Sequence, residues 1–351
     1  MISRRSFLEL LGTAPLALKS GADDSLIQNT KHTPQDNPST DSQLPLLIPP
    51  KLQKGDLVAF TAPASPVNSA NISTYVNYFK EQGCRILIGN TIKNQSNNFG
   101  FFSAEDKFRA DELNTMFADD NIKAIVCGRG GYGVMRILPD LNYELFRKNP
   151  KIVIGYSDIT ALHTALQSRS KVVTYHGPVA VSKLTPLHRN SLQNALFSSP
   201  FDIKYALPEM KVLAQNGNNT LSGKLQGGNL TLISTTMGTP YECDLENALF
   251  FFEDTSVNAH EVDRMLTQLL IAGKFDKCRG FLVGKIKNMD KRESFYPSHG
   301  FSILQCIEQI AQKANLTCVF NLPFGHVESQ LILPYGLFAT LVIKNKSLVV
   351  S

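Results

Sequence analysis

Between residues 56 and 155 four short apolar runs, at 56–62, 85–88, 122–127 and 151–155, alternate with stretches of helical spacing at 72–82, 104–117 and from 135 onward. Strands that are apolar on both sides must be covered on both faces, and a helix is the usual connection between parallel neighbours. This rhythm restricts the first part of the chain to an α/β arrangement, a parallel sheet with helices on both faces. From about residue 207 the texture changes. Shorter runs at 221–225, 249–252, 281–286 and 341–350 frame helix-like stretches at 261–272 and 302–314, which predicts a second, β-rich α+β domain. The expected organisation is an N-terminal α/β domain over 47–175, a partly helical connector over 176–206 and a C-terminal domain over 207–351.

The start of the chain has a different character. Arg4 and Arg5 stand just before an apolar stretch at 7–18 that is too short to span a bilayer. Residues 1–22 read as a twin-arginine-type export segment, with Ser20 to Ala22 as the best small-residue cleavage site; the alternative is an ordinary basic amphipathic start. Residues 23–46, rich in Asp, Asn, Ser, Thr, Gln and Pro, read as a disordered linker. A periplasmic location without a stable membrane anchor is expected, with the cytoplasm as the alternative. The remaining chain, part of 351 residues that are 43% hydrophobic and 19% charged, can bury two sizeable cores. Its net charge of +5 is spread thinly, so nucleic acid is not an expected partner. Six cysteines, at 84, 127, 243, 278, 306 and 318, form no CxxC pair and no Cys/His metal spacing; buried free thiols are expected and a zinc site is not.

Four segments carry the chemistry. Ser157 follows the apolar run at 152–154 on a strand-to-helix turn, where free backbone N–H groups can stabilise an oxyanion. The hydrolase elbow has a second glycine two residues after its serine, and here Ile159 takes that place, so Ser157 or Asp158 as a simple helix cap is the competing reading. Gly128, Gly130 and Gly133 have the spacing of a dinucleotide fingerprint, but at least two strands precede them. They suit equally a tight turn, or a loop whose backbone approaches the serine. Glu253 and Asp254 end a hydrophobic strand, where a carboxylate can orient a histidine or lie exposed. His326 sits in a loop pinned by Pro323 and Gly325, a setting shared with many surface histidines.

The order Ser157, Glu253, His326, with the glycine-rich 129–133 upstream, resembles the LD-carboxypeptidase family of serine peptidases. Further matching pieces are Ala62-Pro63-Ala64-Ser65, Tyr175-His176-Gly177-Pro178, Gly227-Gly228-Asn229-Leu230, Gly238-Thr239-Pro240 and Asp263-Arg264-Met265-Leu266, and the likeness runs from about residue 54 to 350. The resemblance implies an N-terminal flavodoxin- or glutamine-amidotransferase-like domain, a C-terminal β-rich domain, a site between them, and a homodimer. It implies release of terminal D-alanine from a peptidoglycan tetrapeptide, without metal or cofactor. It makes Ser157 the nucleophile, His326 the general base and Glu253 the orienting carboxylate. It puts the oxyanion donors on backbone N–H groups of Gly130, Gly131 and Asp158, and the substrate contacts at Arg129, Gly228 and Asn229, with bracing of the loop as the alternative role of Arg129. Family members commonly carry a second glutamate four residues after the first, where this chain has Val257. A related branch hydrolyses a peptide-nucleotide antibiotic with an aromatic platform for the base, and this chain has no tryptophan. The remaining alternatives are an NAD(P)-binding oxidoreductase, resting on 128–133, and a non-catalytic wall-binding protein.

If the paired arginines direct export, Arg4→Lys combined with Arg5→Lys retains the protein inside the cell. Fractionation that finds the unaltered protein in the cytosol with Met1 intact would remove this reading.

Overall fold

A computed structural model describes residues 44–94, 99–198, 203–286, 289–291 and 300–351. Arg4, Arg5, the apolar stretch at 7–18 and the linker up to residue 43 lie outside the described residues. Fourteen strands are found among those described: β1 Leu57–Thr61, β2 Arg85–Ile88, β3 Ile122–Cys127, β4 Ile152–Gly155, β5 Thr174–His176, β6 Ile203–Ala206, β7 Lys211–Ala214, β8 Thr220–Asn229, β9 Ala248–Glu253, β10 Gly280–Gly284, β11 Cys318–Leu322, β12 Leu333–Tyr335, β13 Phe338–Val342 and β14 Ser347–Val350.

They form two sheets. The first has the order β12-β5-β4-β3-β1-β2, parallel from β5 to β2, with β12 antiparallel at the edge. Alternating residues of its strands enter two cores: Val58, Phe60, Ala124, Val126, Ile152 and Ile154 face one, while Ala59, Ile125 and Val153 face the other. That two-faced burial is why these strands appear in the sequence as continuous apolar runs. Helices Asp106–Ala118 and Thr160–Ser170 supply Leu113, Phe117, Leu162 and Leu166 to the second of these cores.

The first core continues into the second sheet, whose order is β6-β14-β13-β8-β9-β10-β11-β7. Its centre, β8 to β11, is parallel, and its flanks are antiparallel. The connections β9 to β10 and β10 to β11 run through helices Ala259–Ile271 and Ile303–Lys313. The second of these starts in a capping box: Ser302 Oγ accepts from Gln305 N at 3.2 Å, and Gln305 Oε1 accepts from Ser302 N at 2.9 Å. The run at 341–350, expected as one strand, is a hairpin of β13 and β14 with Leu341 opposite Leu348. Lys344, Asn345 and Lys346 interrupt the apolar run, and Lys346 turns with a φ of 45°. All six cysteines are buried, and no disulfide joins them.

Two features extend across the expected domain limits. Residues 186–192 of the connector are helical, and the strand that ends it, β6, joins the second sheet. β12 lies far along the C-terminal half yet closes the edge of the first sheet, with Leu333 opposite His176.

Gly227, inside β8, shows how tightly the second sheet is drawn together. Its φ is +144°, and a β-carbon there would stand 1.7 Å from the carbonyl oxygen of Phe251 on β9. Gly227→Ala is expected to cost about 3 kcal/mol or more, because the backbones of β8 and β9 must separate. Gly55 has a φ of +93° with open space around it. Gly55→Ala therefore carries only the conformational penalty, about 1 kcal/mol. Urea unfolding of the two variants checks the contrast, and equal midpoints would show that the approach of the strands is not the constraint.

Candidate active site

The site begins where β4 ends. Tyr156 is extended, Ser157 turns to a φ of 65°, and a 3₁₀ turn over Ser157–Ile159 leads into helix Thr160–Ser170. A left-handed φ is costly for a residue with a side chain, and it lifts Ser157 out of the line of the strand. Neither Ser157 nor Asp158 caps the helix through its side chain. The buried Asp158 carboxylate instead accepts from Val134 N at 2.8 Å, which ties the serine turn to the end of the glycine loop. Burial holds its pKa above the ordinary aspartate value, against the pull of that N–H and of Arg109.

The glycine loop follows β3, next to β4, so both segments emerge from carboxyl ends of adjacent parallel strands, the usual place for ligands in open α/β sheets. A β-carbon at Gly130 would lie 2.8 Å from Ser157 Cβ and 3.1 Å from Ser157 Oγ, so only glycine lets the loop come this close. Gly131, with a φ of +102°, leaves room for Ser65, whose Oγ accepts from Tyr132 N at 3.1 Å, while Ser65 N donates to Gly130 O at 3.2 Å. The spacing that imitates a dinucleotide fingerprint thus serves close approach to Val67 at Gly128, to Ser157 at Gly130 and to Phe102 at Gly133. Arg109 was not picked out from the sequence, where it looks like the partner of Asp106 on a helix surface. It is fully buried, donating to the carbonyls of Ala104, Pro63 and Gly133 as well as to Asp106. One guanidinium therefore holds both the 62–65 segment and the glycine loop.

The second sheet contributes the charged half. Glu253, the last residue of β9, is fully buried, and its Oε2 accepts from His326 Nδ1 at 2.6 Å and from His326 N at 3.2 Å. A β-carbon at Gly325 would stand 2.5 Å from Glu253 Cβ, so glycine is required for the loop to reach the carboxylate. Phe324 anchors that loop, buried with its ring 5.8 Å from Phe251. Beyond His326, Gln330 N donates to His188 Nε2 at 2.8 Å, and His188 Nδ1 donates to Lys183 O at 2.6 Å, so the loop is held at both ends. The Tyr156 ring stands edge-on 5.0 Å from the His326 ring, bringing the serine turn beside the imidazole. No hydrogen bond joins Ser157 Oγ to His326 among the described residues. Such bonds are often open in free enzymes and close with substrate.

Asn229 and Asp254 sit beneath this pair. Asn229 Nδ2 donates to Asp254 Oδ1 at 3.1 Å and reaches Glu253 Oε1 at 3.4 Å, and Asn229 N donates to Thr160 Oγ1 at 2.9 Å. Asp254 accepts from the N and Oγ1 of Thr231, both at 2.8 Å. Gly228 leaves room for Thr160, from which a β-carbon would be 2.6 Å away. Gly228 and Asn229, expected to line the cleft, are thus buried and join the serine's helix to the glutamate's strand. Arg129 is exposed and makes no ion pair among the described residues, and Val257 is half-buried against the core. Among the described residues no group of three His, Cys, Asp or Glu could hold a metal ion.

Burial works against a charge on His326, but the hydrogen bond and negative charge of Glu253 outweigh it, with a smaller contribution from Asp254, and hold its pKa above the ordinary histidine value. An NMR titration of the His326 ring is expected to show a midpoint above about 6.5. Glu253→Gln keeps the shape but removes the charge, so the midpoint falls. An unchanged midpoint would show that the carboxylate does not set it.

The family model described as the LD-carboxypeptidase N-terminal domain matches residues 58–177, and that of the LD-carboxypeptidase C-terminal domain matches residues 222–341. A probable murein peptide carboxypeptidase of Bacillus subtilis (strain 168) is 34% identical over 309 residues, covering 86% of this chain and 93% of its own length. The structure of muramoyltetrapeptide carboxypeptidase from Oxalobacter formigenes superposes with a TM-score of 0.72 at 24% identity, covering 84% of this chain and 97% of that one. The microcin immunity protein MccF, in complex with glutamyl sulfamoyl guanosine, gives a TM-score of 0.75 at 22% identity, covering 88% and 98%. These last two likenesses show the two-domain fold. With both of its halves matched and the glycine loop, serine turn and Glu253–His326 pair in place, the chain belongs to the LD-carboxypeptidase family of serine peptidases.

Proposed function

We propose that this protein is a serine LD-carboxypeptidase that releases the terminal D-alanine of peptidoglycan tetrapeptide stems by cutting the bond between an L-centre and the D-residue. The observation that carries the reading is the buried Glu253 bonded to His326 Nδ1, whose ring lies against Tyr156, the neighbour of a serine held at positive φ against a glycine loop. The murein peptidase named in the Bacillus relative supports the substrate class.

In this mechanism Ser157 Oγ attacks the carbonyl carbon while His326 Nε2 takes its proton. Glu253 keeps the imidazole in the tautomer with a proton on Nδ1 and stabilises the imidazolium. The oxyanion is met by backbone N–H groups at Gly130, Gly131 and Asp158. Collapse of the tetrahedral intermediate breaks the C–N bond, His326 gives its proton to the leaving amine, and D-alanine departs. Water, deprotonated by the same histidine, then hydrolyses the acyl-enzyme. Arg129, exposed beside the serine's loop, is the candidate to meet a substrate carboxylate. Export by the twin-arginine route and pairing of two copies belong to the same proposal.

Ser157→Ala is expected to lower turnover by roughly four to six orders of magnitude with binding largely intact. His326→Ala costs a similar amount, the double variant little more, and Glu253→Gln less. Chelators leave the rate unchanged. Product masses from a tetrapeptide ending in D-alanine provide the check. A Ser157→Ala variant that keeps more than about a tenth of the activity overturns the mechanism. Cleavage of an aminoacyl sulfamoyl nucleoside with none of the tetrapeptide moves the chain to the peptide-nucleotide branch.

A further inference from the structure

Beside the glycine loop lies an aromatic patch that the mechanism does not use. Phe101 and Tyr132 are 60% and 56% exposed, with their ring centroids 5.3 Å apart and nearly perpendicular. Phe102 lies against both, 4.6 Å from Phe101 and 5.8 Å from Tyr132. The guanidinium groups of Arg109 and Arg136 stand over the Phe102 ring at 5.0 and 4.8 Å, and both arginines are tied to Asp106. Leaving more than half of two large rings in water forgoes favourable burial, and here they are held out on a braced base rather than folded inward.

The position of the patch is set by the chain. Gly130 packs on Ser157, and Tyr132 follows two residues later, so its α-carbon lies within about 7.6 Å of that of Gly130. On the substrate side, a tetrapeptide cut before its last residue leaves three residues between the scissile bond and the sugar that carries the stem. Fully extended, those three residues span about 10 Å. That length is of the same order as the reach of the chain from the serine contact at Gly130 to Tyr132. Arg129, exposed and without an ion pair among the described residues, belongs to the same loop and suits the carboxylates of the stem.

We propose that Phe101 and Tyr132 form a platform for the muramyl sugar, so that the enzyme selects a stem still joined to its glycan over a free tetrapeptide. The apolar C–H face of the sugar lies on the rings while its hydroxyls stay in water. This inference rests on the substrate class proposed above.

The test compares a disaccharide-tetrapeptide with the free tetrapeptide, using the wild-type chain, the Phe101→Ala/Tyr132→Ala double variant and Tyr132→Phe. The double variant is expected to lose roughly tenfold or more in kcat/KM on the disaccharide-tetrapeptide, mostly through KM, from two lost ring contacts. Its rate on the free tetrapeptide is unchanged, and Tyr132→Phe behaves as wild type. Equal losses on both substrates, or none on either, overturn the platform. A fall in sedimenting mass together with equal losses identifies the patch as a contact between copies. Binding of the disaccharide alone to Ser157→Ala, read by saturation-transfer NMR with and without the two ring substitutions, gives a readout that does not need turnover. Ring-dependent transfer supports the platform even where the wild-type chain cuts neither substrate, an outcome that removes only the proposed activity. Transfer to a purine nucleoside monophosphate and none to the sugar overturns it.

Discussion

A carboxylate with no access to water governs the geometry of this protein. Glu253 ends a strand inside the second sheet, and a buried charge is tolerated only where donors converge on it. Those donors are the ring and backbone of His326 and, more distantly, the amide of Asn229. Each imposes a demand on the chain. His326 requires a loop that passes within contact distance of the strand, hence Gly325. Asn229 must end β8 directly opposite Glu253, which the pairing of Asn229 with Glu253 provides. The close approach at Gly227 and the contact of Gly228 with Thr160 follow from the same alignment.

The first sheet answers with strain instead of charge. Ser157 holds a left-handed backbone that costs of order 1 kcal/mol or more, and neighbouring bonds must hold it there. The Asp158–Val134 hydrogen bond, the glycine contact and Arg109 together do so. The two halves meet through Thr160, which accepts from Asn229 N one turn after the serine. Displacing the helix that starts at Thr160 would therefore disturb the carboxylate as well as the serine turn.

Much of this was legible in the sequence for a simple reason. β1, β3 and β4 are buried on both faces, so their apolar runs stand out, and the turn at Ser157 is marked by the change of period that follows β4. What stayed hidden depends on contacts between distant segments. β12 has three residues, one of them a proline, and its place in the first sheet comes only from pairing with β5. Arg109 has the spacing of a surface salt-bridge residue, and nothing local distinguishes a guanidinium that bonds three carbonyls from one in water. Asp254 and Glu253 look alike in sequence, yet one bonds Thr231 and Asn229 while the other holds a histidine, because their side chains leave the strand end in different directions. The run at 341–350 hid its turn because apolar residues lie on both sides of only four polar ones.

The place of β12 bears on how the protein is made. The residues between His326 and β12 carry the chain from the second sheet back to the first, where Leu333–Tyr335 cover the outer edge of β5. During synthesis that edge stays open until the segment beyond His326 has left the ribosome, and an unpaired strand edge is a site of mispairing. The same late segment delivers His326. A nascent chain therefore gains its closed sheet and its imidazole almost together, and a truncated product lacks both.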